Sequence, residues 1–442
     1  MKIFRRILFV LAGILVIAAI AGGILVHKIA HRALPDYGED ITIEGIEHEV
    51  EIYRDSLAIP HIYAQTEEDL YTAVGYLMAQ DRLWQMDLLR RVTQGRLSEI
   101  FGKQMIENDH LMRSLHIPQK SKKVLARSDE RIITSLKAFA RGVNEYIDTH
   151  SDQLPPEFAI LGYKPEKWEP IHTVNLIGYM AWDLTPVWES EVVLHKIAKK
   201  VTKEKYELLI PKTEEQEHHV FPEYASSDQG YEGLSRLMDL SGDLEVLGLN
   251  IFTGSNNWAV SSEKSETGKP LLANDMHLGL FAPGIWYQMH QVVEGKLNVS
   301  GVALPGQPLI ISGHNDSIAW GLTNVMLDDM DFYRETINPE DSAEYRFNGR
   351  WRKMEVVEEK IKVKGSEPVN RKIRYTHRGP VISGFKDMDK EVLSMRWVGN
   401  EYSNELRSVY HLNRASNWTE FKDALRTFTA ISQNIAYADE RG

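Results

Sequence analysis

The chain contains no cysteine. That one absence excludes disulfides, thiolate-ligated zinc and thiol catalysis. Stability must come from a packed core or from a metal held by other ligands. An excess of positive charge is missing too: 51 Lys and Arg stand against 63 Asp and Glu, a formal net charge of −12. Affinity for nucleic acid comes largely from cations that neutralise phosphates, so no nucleic-acid partner is expected. No internal repeat is visible. Glu217-His218-His219 sets two histidines side by side, but no third ligand lies at a recognisable zinc spacing.

The composition present is ordinary for a globular protein, 43% hydrophobic and 26% charged, and 442 residues suffice for two or three domains. One uncharged run stands out. Lys2, Arg5 and Arg6 precede Ile7–Val26, long enough to cross a bilayer as a helix. The basic flank should stay cytoplasmic, which places everything after His27 outside. Ala19-Ile20-Ala21 has the pattern of a signal-peptidase site, and cleavage there would leave a secreted or periplasmic chain. The apolar run continues through Ile24, Leu25 and Val26, which favours a retained single anchor in the cell membrane.

Past this segment (1–30) the chain divides by texture. "ITIEGIEHEVEIYRD" alternates and reads as one or two strands, while Pro60 makes "SLAIPHIYAQT" a strand edge or loop. From Glu67 to Ile210 apolar residues recur at helical spacing, so 31–210 is a mainly helical segment. In it, Asp81, Arg82, Asp87 and Arg90 read as a charged helix face with intersubunit salt bridges. Residues 211–254 are polar and weakly periodic, an exposed connector. From 255 to 442 short strands dominate. "NWAVSS" and "KPLLAND" should pair around a Gly-Lys turn, and "KIKVKG" and "RKIRYTH" should form a second hairpin.

The β-rich part opens at "TGSNNWAVSS". Ser255 reads most simply as a turn serine. The functional alternative is a nucleophile, and a serine hydroxyl needs a base to become one. A Gly-x-Ser-x-Gly elbow is absent, which ranks a His-assisted triad hydrolase last. An N-terminal serine supplies its own base: its α-amine has an ordinary pKa of about 7.7–8.0, near working pH. That chemistry requires a cut between Gly254 and Ser255, and the loose connector upstream suits one. Further on, "LDDMD" clusters Asp328, Asp329 and Asp331. Such carboxylates repel unless solvated or neutralised, and an all-oxygen ligand set suits calcium. Solvated loop acids are an equal alternative for an acidic cluster of this length.

"TGSNNWAVSSEKSETGKPLLANDMHLGL" resembles the start of the β subunit in the penicillin amidase family of N-terminal-nucleophile hydrolases. "IPHIYAQTEEDLYTAVGYLMAQDRLWQMDLLRRVTQGRLSEIFG" resembles the opening of that family's α subunit, and "GVALPGQPLIISGHNDSIAWGLTNV", "YTHRGPVIS" and "QNIAYAD" follow in the family's order. The resemblance implies an α+β fold, an αββα sandwich of two packed antiparallel sheets between helical layers, with a mainly helical α-subunit-like segment. Residues 255–442 would be the N-terminal part of the β-subunit-like domain. Family β subunits run far beyond the position of Asn434, so the sandwich and a downstream family arginine would be incomplete in this chain.

The resemblance also implies roles. Ser255 would be the nucleophile, freed by self-cleavage at Gly254-Ser255, and the two fragments would stay associated. The oxyanion donors would be the Asn324 backbone N–H and the Asn434 side chain, although an asparagine at a turn is common without any such role. His277, where some members have His and others Gln, would orient the amine or a water, with a structural role as the alternative. One structural calcium would take Asp328, Asp331, the Met330 carbonyl and a glutamate, either Glu191 or Glu189. The substrate would be a small N-acyl amide: a β-lactam side chain, an acyl-homoserine lactone or similar. An apolar acyl pocket would draw on Trp182, Leu278, Leu280, Phe281 and Trp286, each of which could equally be ordinary core. Two positions depart from the family pattern: Ala58 stands where Gly is common, and Arg378 separates His377 from Gly379-Pro380. The rival to an acylase precursor is an inactive, membrane-tethered binding or scaffold protein.

Overall fold

The computed structural model describes residues 2–185, 200–208, 254–382 and 392–441, with the isolated positions 193, 197, 246 and 247. Glu189, Glu191, Glu217, His218, His219 and nearly all of the 211–254 connector therefore lie outside the described residues. The chain opens with α1 (Lys2–His31), whose apolar side chains are exposed and whose mean hydropathy over a membrane-length window is 2.8. By length and composition this helix could cross a bilayer or serve as a signal sequence.

Of the expected helical region, Glu67 to Ile210, residues 186–192, 194–196, 198, 199, 209 and 210 lie outside the described residues, and the described part is mainly helical. Its elements are α2 (Glu67–Thr93), α3 (Ser98–Phe101), α4 (Ile106–Ser114), α5 (Ile117–Ala126), α6 (Glu130–Thr149), α7 (Pro156–Leu161), α8 (Pro170–Asp183) and the short α9 (Lys203–Glu207). Thr66 caps α2 by accepting from the Asp69 N–H, and Glu169 and His172 form a capping box on α8. Helices α2 and α6 cross at backbone contact. A Cβ on Gly75 would lie 2.1 Å from the Phe139 carbonyl oxygen, and one on Gly142 would lie 1.9 Å from that of Thr72. Only glycine permits this approach.

Among the described residues there are fifteen strands, numbered in chain order: β1 (Glu51–Arg54), β2 (Pro60–Ala64), β3 (Asn256–Val260), β4 (Leu271–Asp275), β5 (Tyr287–Val293), β6 (Leu297–Ala303), β7 (Ser312–Asn315), β8 (Ile318–Asn324), β9 (Met330–Glu335), β10 (Glu344–Phe347), β11 (Arg350–Lys353), β12 (Glu355–Val363), β13 (Ser366–Tyr375), β14 (Val392–Trp397) and β15 (Gln433–Asp439). Helices α10 (Glu405–Leu412) and α11 (Trp418–Ala424) precede the last strand. The main sheet has seven strands in the order β1-β2-β5-β6-β7-β8-β15, and four two-stranded pairs accompany it. The β2–β5 pairing is parallel and the other pairings in the sheet are antiparallel. Where the resemblance implies two antiparallel sheets, the described strands thus form one large mixed sheet and four pairs.

Other expectations shift in detail. Only residues 51–54 of "ITIEGIEHEVEIYRD" form a strand. β2 is an inner strand, because Pro60 occupies its first position, where a missing N–H is tolerated. Both expected hairpins are present: β3 pairs with β4, and β12 pairs with β13. The charges on α2 are not a solvated face. Asp87 and Arg90 are fully buried and pair with each other, and Arg91 joins them at 2.9 Å. Asp81 accepts from Arg54 at 3.0 Å and from Tyr287 at 2.7 Å, so it ties α2 to both β1 and β5.

The two departures from the family pattern acquire reasons. Ala58 has φ +60°, the left-handed region that favours glycine. Arg378 Nη1 donates to both oxygens of the buried Glu335 carboxylate, at 2.9 and 3.0 Å, and the guanidinium lies over the Tyr333 ring.

Candidate active site

Residues Gly254 and Ser255 lead directly into β3. The Ser255 hydroxyl donates to the Gly254 carbonyl oxygen at 2.6 Å. That places Oγ beside the carbonyl it would attack in a self-cleavage. The His277 ring packs against Gly254: a Cβ at residue 254 would come within 2.6 Å of Nε2. Its Nδ1 lies 3.2 Å from Asp275 Oδ2. A side chain at 254 would have to displace the half-exposed His277 ring.

Ser255 lines a cavity of about 100 Å³. The walls come from segments far apart in the chain: Ile177, Met180 and Leu184 on or beside α8, Leu278 and Trp286 after the hairpin, and Phe428 and Ile431 before β15. Of the five pocket residues expected from sequence, Leu278 and Trp286 line it. Leu280 is fully exposed, Phe281 is partly exposed, and Trp182 is buried edge-on against Trp397. These three are corrected to surface and core, because periodicity cannot separate a cavity wall from either. The polar residues at the cavity are Asn324, Gln433, Gln307 and Glu405. Glu405 is buried, and its carboxylate accepts from the Thr429 and Ala430 N–H groups at 3.0 and 2.8 Å and from the Ser403 hydroxyl at 2.9 Å. It fixes the wall segment that carries Phe428 and Ile431.

The ladder between β8 and β15 orients both asparagines. Val325 N donates to Ser432 O at 3.1 Å, which makes 325 and 432 a hydrogen-bonded pair. Antiparallel pairs alternate, so the adjacent pair Asn324–Gln433 is non-bonded, and the Asn324 N–H points off this ladder. The Asn324 side chain donates to Leu184 O at 2.8 Å, leaving the backbone N–H as its group for the site. Asn434 sits opposite Thr323, hence on the same face as Thr323 and Gly321. Gly321 faces the β3–β4 hairpin, since a Cβ there would strike Asn274 at 2.7 Å. Asn434 is exposed and does not line the cavity; Gln433, one residue before it, does.

Sequence reasoning missed Asn274. Its side chain donates to Asn256 O and Leu322 O, both at 3.0 Å, and accepts from Leu322 N at 3.0 Å and Ser312 Oγ at 2.7 Å. An asparagine at an inward position of an apolar strand, as in "LLAND", was the available signal.

At the expected metal position Asp328 and Asp331 are exposed and Met330 is buried. Partial desolvation of the carboxyl, although the residue as a whole is exposed, and then the Asp331 charge push Asp328 above its usual range. Asp329 accepts from Thr185 Oγ1 at 3.0 Å, while its buried Oδ1 meets no hydrogen-bond partner among the described residues. Mutually repelling carboxylates and an unsatisfied buried oxygen fit a hard cation. Among the described residues no group of three acidic or histidine side chains could hold a metal, so the expected glutamate outside them would be needed.

Residues 49–442 match the family model for penicillin amidase. The chain belongs to the penicillin amidase family. Curated members of this family resemble it over most of its length. It is 30% identical to the acyl-homoserine lactone acylase QuiP of Pseudomonas fluorescens strain Pf0-1, over 93% of this chain and 51% of that protein. It is 30% identical to the penicillin acylase 2 proenzyme of Pseudomonas sp. strain SE83, over 93% of this chain and 53% of that one, and 27% identical to the penicillin G acylase of Escherichia coli, over 89% and 52%. The chain thus spans about half the length of the curated relatives it matches. These matches give the scaffold alternative no support.

Proposed function

We propose that this penicillin amidase family member is the precursor of an N-terminal serine amidohydrolase that cleaves a linear N-acyl amide. The observation that carries the reading is the Ser255 hydroxyl, 2.6 Å from the carbonyl oxygen of Gly254 at the wall of an apolar cavity. In the first stage Oγ attacks the Gly254 carbonyl carbon. The C–N bond breaks, nitrogen takes the proton, and water hydrolyses the resulting ester. Gly254 leaves as a carboxylate and Ser255 gains a free α-amine. In the second stage that amine draws the proton from Oγ as it attacks the substrate carbonyl. The oxyanion takes the Asn324 N–H, which points off the ladder, and the Asn434 side chain, on the hairpin face. The proton passes to the leaving amine, and water releases the acid.

The acyl chain would occupy the apolar cavity, and His277 would orient the amine or a water. β3–β4 would start the second layer of the αββα sandwich. The Asp328 and Asp331 carboxylates and the Met330 carbonyl, with Glu191, would hold calcium, which would pin the helical part to the β part. Helix α1 would anchor the protein with its body outside the cytoplasm. The N-acyl amines acted on by the named relatives, acyl-homoserine lactones and penicillins, are the first substrates to test. The test is denaturing electrophoresis with N-terminal sequencing, alongside amine release from a panel of N-acyl substrates. Two fragments, the second beginning at Ser255, and turnover that disappears in Ser255→Ala support the reading. An uncut wild-type chain that still hydrolyses amides overturns it.

A further inference from the structure

The hairpin that carries Ser255 is a two-stranded sheet of its own. It meets β8 through side chains, and one side chain does most of the joining. By the alternation already described, the N–H and C=O of Leu322 point away from β15. β7 does not reach them, since its pairing with β8 extends only to Trp320. The Asn274 amide takes both: it accepts from Leu322 N and donates to Leu322 O, each at 3.0 Å. This is what the peptide group of a neighbouring strand would do. The same amide donates to Asn256 O, on the residue after Ser255, and accepts from Ser312 Oγ. Both donors and both acceptor sites of the amide are used.

We infer that Asn274 is the positioning residue that sets the nucleophile against the oxyanion donor, in both self-cleavage and turnover. One planar group bonds the residue after Ser255 and the residue two before Asn324, so it fixes the offset between the two reacting elements. Asn324 N–H leaves β8 on the same edge as Leu322 N–H. Gly321 is the matched position: a Cβ there would lie 2.7 Å from Asn274 Cβ and 3.0 Å from Oδ1. Asn257 adds a weaker second tie, donating to Gly321 O at 3.0 Å. Aspartate cannot replace the amide, because its oxygens would face the carbonyls of Asn256 and Leu322. The inference rests on Ser255 being the nucleophile.

The test compares the full chain with Asn274→Asp, Asn274→Gly, Gly321→Ala and the double variant Asn274→Gly/Gly321→Ala. The readouts are the rate at which the fragment beginning at Ser255 appears, kcat and KM on an N-acyl p-nitroanilide per cut enzyme, and the melting temperature. Asn274→Asp should slow the cut and lower kcat roughly a hundredfold, as misplacement near 1 Å does, with KM changed less than threefold. Gly321→Ala, which keeps the amide but displaces it, should show the same split of kcat from KM. Adding Gly321→Ala to Asn274→Gly should cost little more, because glycine at 274 removes the Cβ and the amide that a Cβ at 321 would strike. Normal cutting and kcat in Asn274→Asp, loss explained wholly by less folded protein, or strictly additive effects in the double variant would overturn the inference. A wild type that is never cut at Ser255 instead removes the reading beneath it.

Discussion

The helical layer and the nucleophile hairpin are held in opposite ways. Helices α2 and α6 touch backbone to backbone at Gly75 and Gly142, and the end of α2 buries an ion cluster of Asp87, Arg90 and Arg91. Nothing there can move without many contacts breaking together. The β3–β4 hairpin keeps Trp258 57% and Leu271 52% exposed and is tied to the sheet by the amides of Asn274 and Asn257. Its placement depends on a few directional bonds. The difference separates two kinds of damage: in the first region a substitution should cost stability, and in the second it should cost reaction rate.

The largest effect should come from the second region. Ser255→Ala is expected to abolish the cut and lower amide turnover by a factor on the order of 10⁶, the scale seen when a serine nucleophile is removed. The melting temperature should move little, since the one side-chain hydrogen bond of Ser255 among the described residues is to its own preceding carbonyl. A large fall in melting temperature with activity retained would erase the distinction between the regions. The mirror experiment is Gly142→Ala. Its Cβ would sit 1.9 Å from Thr72 O, so α2 and α6 must separate. A loss of about 4 kcal/mol is expected, measured by denaturant unfolding, with normal KM and kcat in whatever protein remains folded.

Glu405 sits between the two regimes, a buried charge at the cavity wall. Glu405→Leu strips the Thr429 and Ala430 N–H groups of their acceptor and should cost about 1–3 kcal/mol. KM should also rise for long acyl groups as the wall shifts. Glu405→Gln retains one oxygen for both N–H groups, and its amide can donate to the Ser403 hydroxyl, so it should restore most of the loss. Equal damage from both variants would show that the negative charge, rather than the bonds, holds the wall.

How much of this was legible in the sequence follows the same division. Local patterns announced the hairpins: alternation in "NWAVSS" and "KPLLAND" fixed strands that do pair in register. Helical spacing announced α2, α6 and α8. Burial was not legible, because Asp87 and Arg90 have the same spacing on a solvated face as in a core. The cavity was half legible. Leu278 and Trp286 lie close to Ser255 in sequence, whereas Met180, Phe428 and Ile431 reach it only through tertiary packing. Asn274 was invisible as a joint, since its bonds to Leu322 span a sequence gap that no local pattern records.

The smallest effect tests a turn that belongs to neither region, at the opposite edge of the main sheet from β8 and β15. Ala58 lies in the turn between β1 and β2 at φ +60°, where a Cβ crowds the backbone. The turn holds this conformation through bonds that do not depend on the side chain. Ala58 N donates to Asp55 O at 2.9 Å, Arg54 donates to Ala58 O at 3.0 Å, and Asp55 caps the Leu57 and Ile59 N–H groups at 2.8 and 3.0 Å. Ala58→Gly relieves the strain but also frees the unfolded chain, and the two effects oppose each other. At a left-handed position relief should win, so a gain of about 1 kcal/mol is expected by denaturant unfolding. The cut and kcat should be unchanged, because the turn lies at the far edge of the sheet from β8 and β15. A loss of stability would mean that the left-handed turn is not strained by alanine. A change in kcat would mean that the edge strands communicate with the hairpin, contrary to the confinement of rate effects to the second region.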